Sequence, residues 1–201
     1  MAKRIFDILF SIIGLIFFSP CFLLVSILIK IDSKGPVFFL QERVGRNGVL
    51  FKIIKFRSMI TDQNYNSTIT TANDNRITTI GKIIRRFKID ELPELLNVLI
   101  GNMSFVGPRP DVPGYADLLE GEDRLILKLK PGITSLASLK YVNEEAILAS
   151  VDDPMSYNKE VIFPDKVKLN LNYYYNHNIW IDIKVIFATV FYILKKIFKI
   201  K

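Results

Sequence analysis

The sequence predicts a mixed α/β fold of the helix-rich α+β kind, associated with a membrane. Three observations lead there: an uncharged apolar run over residues 8–29, two short β-like runs divided by an Asn-Gly turn, and helical apolar spacing through much of the rest. With 201 residues, one well-buried domain suffices. No large parallel sheet is expected.

The first run reaches the roughly 20 apolar residues that carry a helix across a bilayer. A cleavable signal peptide is a poor fit, because the run is long, is followed by Lys30, Asp32 and Lys34, and lacks a small-residue cleavage pattern before them. Ser19-Pro20 lies near its middle, where proline removes a backbone donor and biases Ser19 away from helical geometry, so a kink is expected. The Ser19 hydroxyl is one way to satisfy the freed backbone in lipid. Lys3 and Arg4 precede the run, and Lys30 and Lys34 follow it. Both ends therefore prefer the cytoplasm, which conflicts with a straight span and suits a helix that dips in and returns. Proline kinks also occur in true spans, so these residues alone leave the re-entrant and spanning forms equally open.

After Gly35-Pro36, residues 37–41 and 49–59 flank a turn ending in Asn47-Gly48 and predict a β-hairpin, with Arg43, Arg46, Lys52, Lys55 and Arg57 on or near it. Residues 62–75 are polar and aperiodic, hence a loop; Asn66-Ser67-Thr68 within it matches a glycosylation acceptor only formally. Ile80, Ile83, Ile84 and Phe87 then repeat at helical spacing, with Lys82, Arg85 and Arg86 on the other face. Residues 90–101 read as a second short helix with Asp90 as N-cap, Pro93 in the first turn and Gly101 at the close. Residues 103–106 look like a strand entering the rigid turn Gly107-Pro108-Arg109-Pro110. Further helices are expected at 114–128 and 165–177, with a turn at Pro131-Gly132. The C-terminal segment places Ile179, Ile183, Ile186, Phe187, Val190, Leu194 and Ile197 on one helical face and Lys184, Lys195 and Lys199 on the other. Its uncharged stretch, 185–194, is too short to span, so it reads as an interfacial amphipathic helix, against the alternative of a helix packed on the core.

Apolar residues make up 50% of the chain and the mean hydropathy is +0.26. That is high for a soluble domain and low for a bundle of spanning helices, as partial membrane engagement requires. A net charge of +7 favours anionic partners, namely phosphates, acidic lipids or nucleic acid, without choosing among them. Cys21 is the sole cysteine, which excludes an intrachain disulfide and a Cys-based metal site. His177 is also alone, so neither a multi-histidine zinc site nor a His-based triad is expected, and it reads as structural.

By position alone, Asp90 is an ordinary helix cap. Its surroundings alter that reading: a cationic helix face precedes it, Glu91 follows it, and Arg109 sits nearby between two prolines. A carboxylate at a helix N-terminus among arginines stays ionised at neutral pH and faces a site that favours phosphate. Phosphoryl transfer needs an in-line attacking oxygen, cations to spread charge and usually a divalent ion. Asp90 is the candidate nucleophile and Glu91 the candidate metal ligand, with Mg2+ expected because it takes one or two carboxylates together with substrate phosphates.

Four motifs in order, Lys55-Phe56-Arg57-Ser58-Met59, Asp90-Glu91-Leu92-Pro93, Gly107-Pro108-Arg109-Pro110 and Lys130-Pro131-Gly132-Ile133-Thr134, closely resemble those of the bacterial monotopic phosphoglycosyl transferases, also called bacterial sugar transferases. The resemblance runs from about Lys3 to the C-terminal helix and is to the minimal catalytic form, without the N-terminal membrane domain of larger members. It implies that Asp90 attacks the β-phosphate of a UDP-sugar, releasing UMP and leaving a sugar-phosphoryl aspartate. Polyprenol (undecaprenyl) phosphate then collects the sugar phosphate, as the first membrane step in building a polysaccharide or a glycoprotein glycan. The resemblance further implies that Glu91 holds Mg2+, that Arg85 and Arg109 bind phosphate, and that Lys55 and Arg57 belong to the same anionic pocket. It makes the Ser19-Pro20 break a re-entrant helix, in a monotopic protein of the bacterial inner membrane whose catalytic domain faces the cytoplasm. The expected division is a membrane helix at 1–34, a catalytic domain at 35–178 and an interfacial helix at 179–201, integrated into one unit. Expected partners are a UDP-sugar, polyprenol phosphate and membrane lipids, with homo-oligomerisation open. Many members carry Gly and Gln where Ser135 and Ser138 stand, which obscures the sugar and leaves Asp90 untouched.

Other classes fit less well. Nucleic-acid binding is disfavoured because the cations are scattered among apolar runs and no recognised module is present. A non-catalytic membrane scaffold sits poorly with an intact Asp90-Glu91 pair. The nearest alternative is a glycosyl transferase that moves sugar without its phosphate and so releases UDP.

Overall fold

The computed structural model describes residues 2–60 and 76–198; the expected loop at 62–75, the tripeptide within it, the Ile197 side chain and Lys199 lie outside the described residues. The N-terminal run forms α1 (Ala2–Phe17) and α2 (Ser19–Asp32), bent by 59° at the expected break. Pro20 falls in the first turn of α2, where its missing N–H costs nothing. The Ser19 hydroxyl donates to Ile16 O at 2.8 Å. No single helix among the described residues is long and apolar enough to cross a membrane, although the bent pair together has that length and composition. Their polarity is inverted: α1 buries Asp7 and Ser11 and exposes Ile5, Leu9, Ile16 and Phe17, while α2 exposes Leu23, Leu24 and Ile27.

The hairpin is the spine of the fold. Strands β1 (Phe38–Val44) and β2 (Leu50–Phe56) pair antiparallel, with Phe38 opposite Phe56 and Val44 opposite Leu50. Asn47 takes the left-handed conformation, φ 58°, that the Asn-Gly turn demands. Three core clusters hang on these strands. Val44 packs with Ala116, Ile126 and Val167; Ile53 with Val98 and Met103; Phe56 with Val25, Ile29 and Ile84. A fully buried ring such as Phe56 contributes about 1.5–3 kcal/mol.

Helix α3 (Thr79–Arg86) is capped twice, by Thr78 Oγ1 accepting from Gly81 N and by Asp32 Oδ2 of α2 accepting from Ile80 N. Its buried stripe is narrower than the periodicity suggests: Ile84 is buried, but Ile83 is 50% exposed, because α2 and the hairpin cover α3 on one side only. Lys88, at φ 57°, then reverses the chain into a single 3-10 turn, Ile89–Glu91, ahead of α4 (Glu94–Ile100). Asp90 is therefore not the N-cap expected of it. It lies inside the 3-10 turn, and Pro93, at φ −64°, stands at the head of α4. Gly101 closes α4 as expected.

Strand β3 (Ser104–Val106) forms where expected, but Pro131-Gly132 is a strand entry, not a turn. Strand β4 (Gly132–Thr134) pairs parallel with β3, Ser104 opposite Gly132 and Val106 opposite Thr134. The pairing depends on two glycines. A Cβ on Gly132 would stand 2.1 Å from Gly107 N, and one on Gly107 would stand 2.2 Å from Lys130 O. The connection at 114–128 contains 3-10 turns, Ala116–Leu118 and Asp123–Lys128, and not the helix expected there, because Gly121 at φ 56° reverses the chain between them.

Three short helices follow that the sequence did not signal: α5 (Leu136–Lys140), α6 (Glu144–Ala149) and α7 (Pro154–Tyr157). Each is shorter than the window in which periodicity becomes visible. Ser135 caps α5, its Oγ accepting from Ser138 N and lying 3.0 Å from Ser138 Oγ, so the two departures from the family pattern form one local cap. A π-helical turn, Asn158–Ile162, leads into α8 (Phe163–Asn176), and α9 (Ile179–Phe198) ends the described chain. His177 is exposed, and its Nδ1 lies 2.8 Å from Tyr174 O. One side of α9 packs on the core through Val185 against Val106 and Tyr173. The other exposes Trp180, Phe187, Phe191 and Phe198.

Both ends of the bent pair dock on the same folded body. Lys3 Nζ reaches Asp182 Oδ2 (2.5 Å), Tyr173 OH (2.9 Å) and Val106 O (3.0 Å), while Arg4 caps the C-terminal carbonyls of α4 at Val98 and Leu99. At the far end, Arg57 donates to Ser33 O (2.7 Å) and Lys34 O (2.8 Å). The result is a helix-rich α+β architecture with small sheets.

Candidate active site

Five elements converge. Strand β2 presents Lys55, α3 presents Arg85, the 3-10 turn presents Asp90 and Glu91, α4 presents Glu94, and the Gly-Pro-Arg-Pro segment after β3 presents Arg109. Asn97, fully buried on α4, accepts from Ile54 N (2.9 Å) and donates to Lys52 O (2.8 Å), acting as a surrogate strand on the open edge of β2. That clamp sets the height of Lys55 against the acids. The Gly107/Gly132 contact does the same for Arg109.

Arg109 embraces Glu91 with two nitrogens, Nη2–Oε1 at 2.5 Å and Nη1–Oε2 at 3.4 Å. Lys55 Nζ lies 3.1 Å from Glu91 Oε1 and 3.2 Å from Glu94 Oε1; the second contact is an ion pair without hydrogen-bond direction, and Glu94 Oε1 has no hydrogen-bond donor. Burial alone would raise the Glu91 carboxyl, but Arg109 and Lys55 hold it well below the usual carboxylate range. Glu94, 1% exposed, is pushed up to about 7 by burial despite Lys55, with the charge of Glu91 adding.

Asp90 differs from both. It is 7% exposed, and its Oδ1 is buried without a hydrogen-bond partner. Burial, and then the charge of Glu91, push its carboxyl up to about 6, against lowering by Lys55, Lys88 and Arg85. At neutral pH it is therefore ionised, desolvated and unengaged, the condition of a nucleophile held ready.

One cavity of 1410 Å³ opens at this cluster and also takes in Phe10, Ile13, Phe17 and Phe18 of the bent pair. Asp90, Glu91, Lys55, Arg85 and Arg109 all face it. Arg57 touches the same cavity, yet its guanidinium is engaged by the α2 exit, with only Nε left unpartnered. Ser19 and Pro20 lie at the helix bend, just past Phe18. Among the described residues no three His, Cys, Asp or Glu side chains converge as a metal cage. The orphaned Asp90 Oδ1 beside Glu91 does fit a cation that draws its remaining ligands from phosphate and water.

Glu94 and Asp111 escape a reading of motifs. For Glu94 a signal existed: helical phase puts it on the same face of α4 as buried Val98, an acid within an apolar stripe.

The profile of the bacterial sugar transferases matches residues 1–196. The chain belongs to this family. The chain is 40% identical, over 94% of its length and 39% of the relative's, to the UDP-glucose:undecaprenyl-phosphate glucose-1-phosphate transferase of Klebsiella pneumoniae. It is 36% identical, over 94% of its length and 42% of the relative's, to the UDP-N-acetylgalactosamine-undecaprenyl-phosphate N-acetylgalactosaminephosphotransferase of Aeromonas hydrophila. The chain thus spans about two fifths of these relatives. Against the exopolysaccharide production protein PSS of Rhizobium leguminosarum bv. phaseoli it is 40% identical over 94% of its length and 92% of the relative's.

Proposed function

We propose that this chain transfers a sugar 1-phosphate from a UDP-sugar to polyprenol phosphate through an aspartyl-phosphosugar intermediate, in the first membrane step of glycan assembly. The observation that carries this reading is the buried Asp90 carboxyl, its Oδ1 without a hydrogen-bond partner, in a residue that lines the cationic wall of a cavity shared with the aromatics of the bent helix pair. Two relatives whose names specify undecaprenyl-phosphate sugar phosphotransferases support it. A carboxylate oxygen of Asp90 attacks the β-phosphorus, the P–O bond to the α-phosphate breaks, and UMP leaves with that oxygen. A phosphate oxygen of the polyprenol phosphate then attacks the same phosphorus, forming the diphosphate and returning Asp90 as a carboxylate. Arg109 and Arg85 carry the equatorial charge, while Lys55 keeps Glu91 and Glu94 in place. Glu91, beside Asp90, would hold Mg2+, which when bound neutralises the diphosphate.

The membrane placement follows the same logic. A pair of helices whose two ends grip one folded body supports a re-entrant hairpin over a span whose ends lie on opposite sides. The catalytic body, residues 35–178, then lies on the cytoplasmic face of the inner membrane, with α9 in the interface and its exposed aromatics in lipid. Trp180 is the only tryptophan and is 71% exposed. In nanodiscs of lipids brominated on the acyl chain its fluorescence should be strongly quenched relative to unbrominated lipid; an equal signal in both would remove α9 from the interface.

The reaction is tested by supplying purified chain with UDP-sugars labelled in the sugar. UMP release and, before acceptor is added, a labelled protein are expected. UDP as the sole nucleotide product would instead establish simple glycosyl transfer.

A further inference from the structure

A second, smaller pocket of 210 Å³ opens beyond Arg109, which lines it together with Arg43, Asp111, Tyr115, Glu144 and Lys166, among others. Most of its polar groups are engaged. Lys166 Nζ binds both carboxylate oxygens of Glu144 at 2.7 Å, and Arg43 donates to Gln41 Oε1 (2.6 Å) and Pro110 O (3.3 Å). Asp111 is the exception. Its backbone carbonyl accepts from Val44 N at 2.9 Å, which pins it to β1, while its carboxylate makes no hydrogen bond or ion pair among the described residues. The Tyr115 hydroxyl is equally unengaged, and Arg43 Nε is buried without a partner. Tyr115 and Phe163 meet edge to face at 5.5 Å and form an apolar wall.

A carboxylate on a pinned backbone, in the field of Lys166, Arg43 and Arg109 but without a hydrogen bond of its own, suits neighbouring hydroxyls beside an aromatic wall, with both oxygens accepting and the ring covering C–H groups. Asp111 and Glu144 offset part of the charge of Arg43, Arg109 and Lys166 there, and no residue of α1 or α2 lines the pocket. Arg109 and Asp111 border both this pocket and the larger cavity. A group attached to a phosphate at Arg109 therefore reaches Asp111 directly.

We infer that Asp111 is the sugar-specificity residue: its carboxylate accepts hydrogen bonds from hydroxyls of the pyranose on the donor, with Tyr115 against the ring. The inference rests on the donor being a nucleotide sugar, as proposed above.

The test is equilibrium binding to the full chain in lipid nanodiscs, carrying Asp90→Asn so that no turnover intervenes. The probes are UDP-glucose, UDP-galactose, UDP-N-acetylglucosamine, UDP-N-acetylgalactosamine and UDP. At least one UDP-sugar should bind more tightly than UDP, and Asp111→Asn should weaken that sugar by about 10- to 100-fold while leaving UDP unchanged. Unchanged UDP affinity also reports an intact fold, and Asp111→Glu, which displaces the charge, should lose the preference too. The inference is overturned if UDP weakens in step with the sugar, if Asp111→Asn leaves the preference intact, or if no UDP-sugar exceeds UDP. Failure of the transfer reaction itself would show separately, as absence of UMP release from a chain with unaltered Asp90.

Discussion

Asp90→Asn eliminates UMP release and the labelled protein, a loss of at least about 10⁴-fold in kcat, and at the same time makes the fold more stable. The first effect follows from chemistry, because an amide of the same size fills the site but offers no carboxylate to phosphorus. The second follows from burial. The Asp90 carboxyl is raised to about 6 in the folded chain, mainly by desolvation, so its stabilising contribution is fully present below its ordinary value near 3.8 and is lost as pH rises through about 6. At pH 7.5 the charged side chain is a net cost on the order of 1–2 kcal/mol, which asparagine removes. Thermal unfolding in one lipid environment should show a higher midpoint for the variant by a few degrees at pH 7.5 and little difference at pH 4. The same titration gives kcat/KM an acid limb near pH 6. Retained activity in the variant would reduce Asp90 to a structural acid.

Arg109→Ala lowers kcat/KM for the nucleotide sugar by about 10²–10³-fold, with unfolding nearly unchanged. The guanidinium bonds both oxygens of Glu91 and borders both the cavity and the smaller pocket. Its loss leaves Glu91 paired, among the described residues, with Lys55, which also serves Glu94. Because the Arg109 side chain is 41% exposed, solvent screens the pair, and its contribution to stability stays below about 1 kcal/mol. Arg109→Lys should recover little, since a point charge cannot reproduce the two-pronged grip. Steady-state kinetics beside thermal unfolding checks this: a collapse in stability parallel to the activity would assign Arg109 to folding.

How far the site was legible depends on the range of the forces that built it. The break at Ser19-Pro20, the turn at Asn47 and the stop at Gly101 are local backbone effects, and they stand in the structure where the residues imply. Asp90, Glu91 and Arg109 were readable as a group because charge and rigid turns cluster in the chain. Their geometry was not. Whether Asp90 caps a helix or lies inside a 3-10 turn is decided by Lys88 reversing the backbone and Pro93 heading α4. The β3–β4 pair joins segments on either side of a long connection, and no local pattern announces that Gly107 and Gly132 must touch. Arg57 shows the converse. Its motif points to the anionic pocket, whereas its hydrogen bonds hold the exit of α2. Asp111 belongs to no periodic face, and only the pocket around it marks it out.

The cavity that joins Phe17 and Phe18 to Asp90 has a kinetic meaning under the proposed reaction. One reactant arrives from water, in three dimensions, and is counted per litre. The other diffuses laterally and is counted per unit area, so its effective abundance is a mole fraction among lipids. A rate constant for that second encounter, expressed per volume, silently includes the amount of bilayer or micelle present, and diluting the aqueous phase leaves the encounter itself untouched.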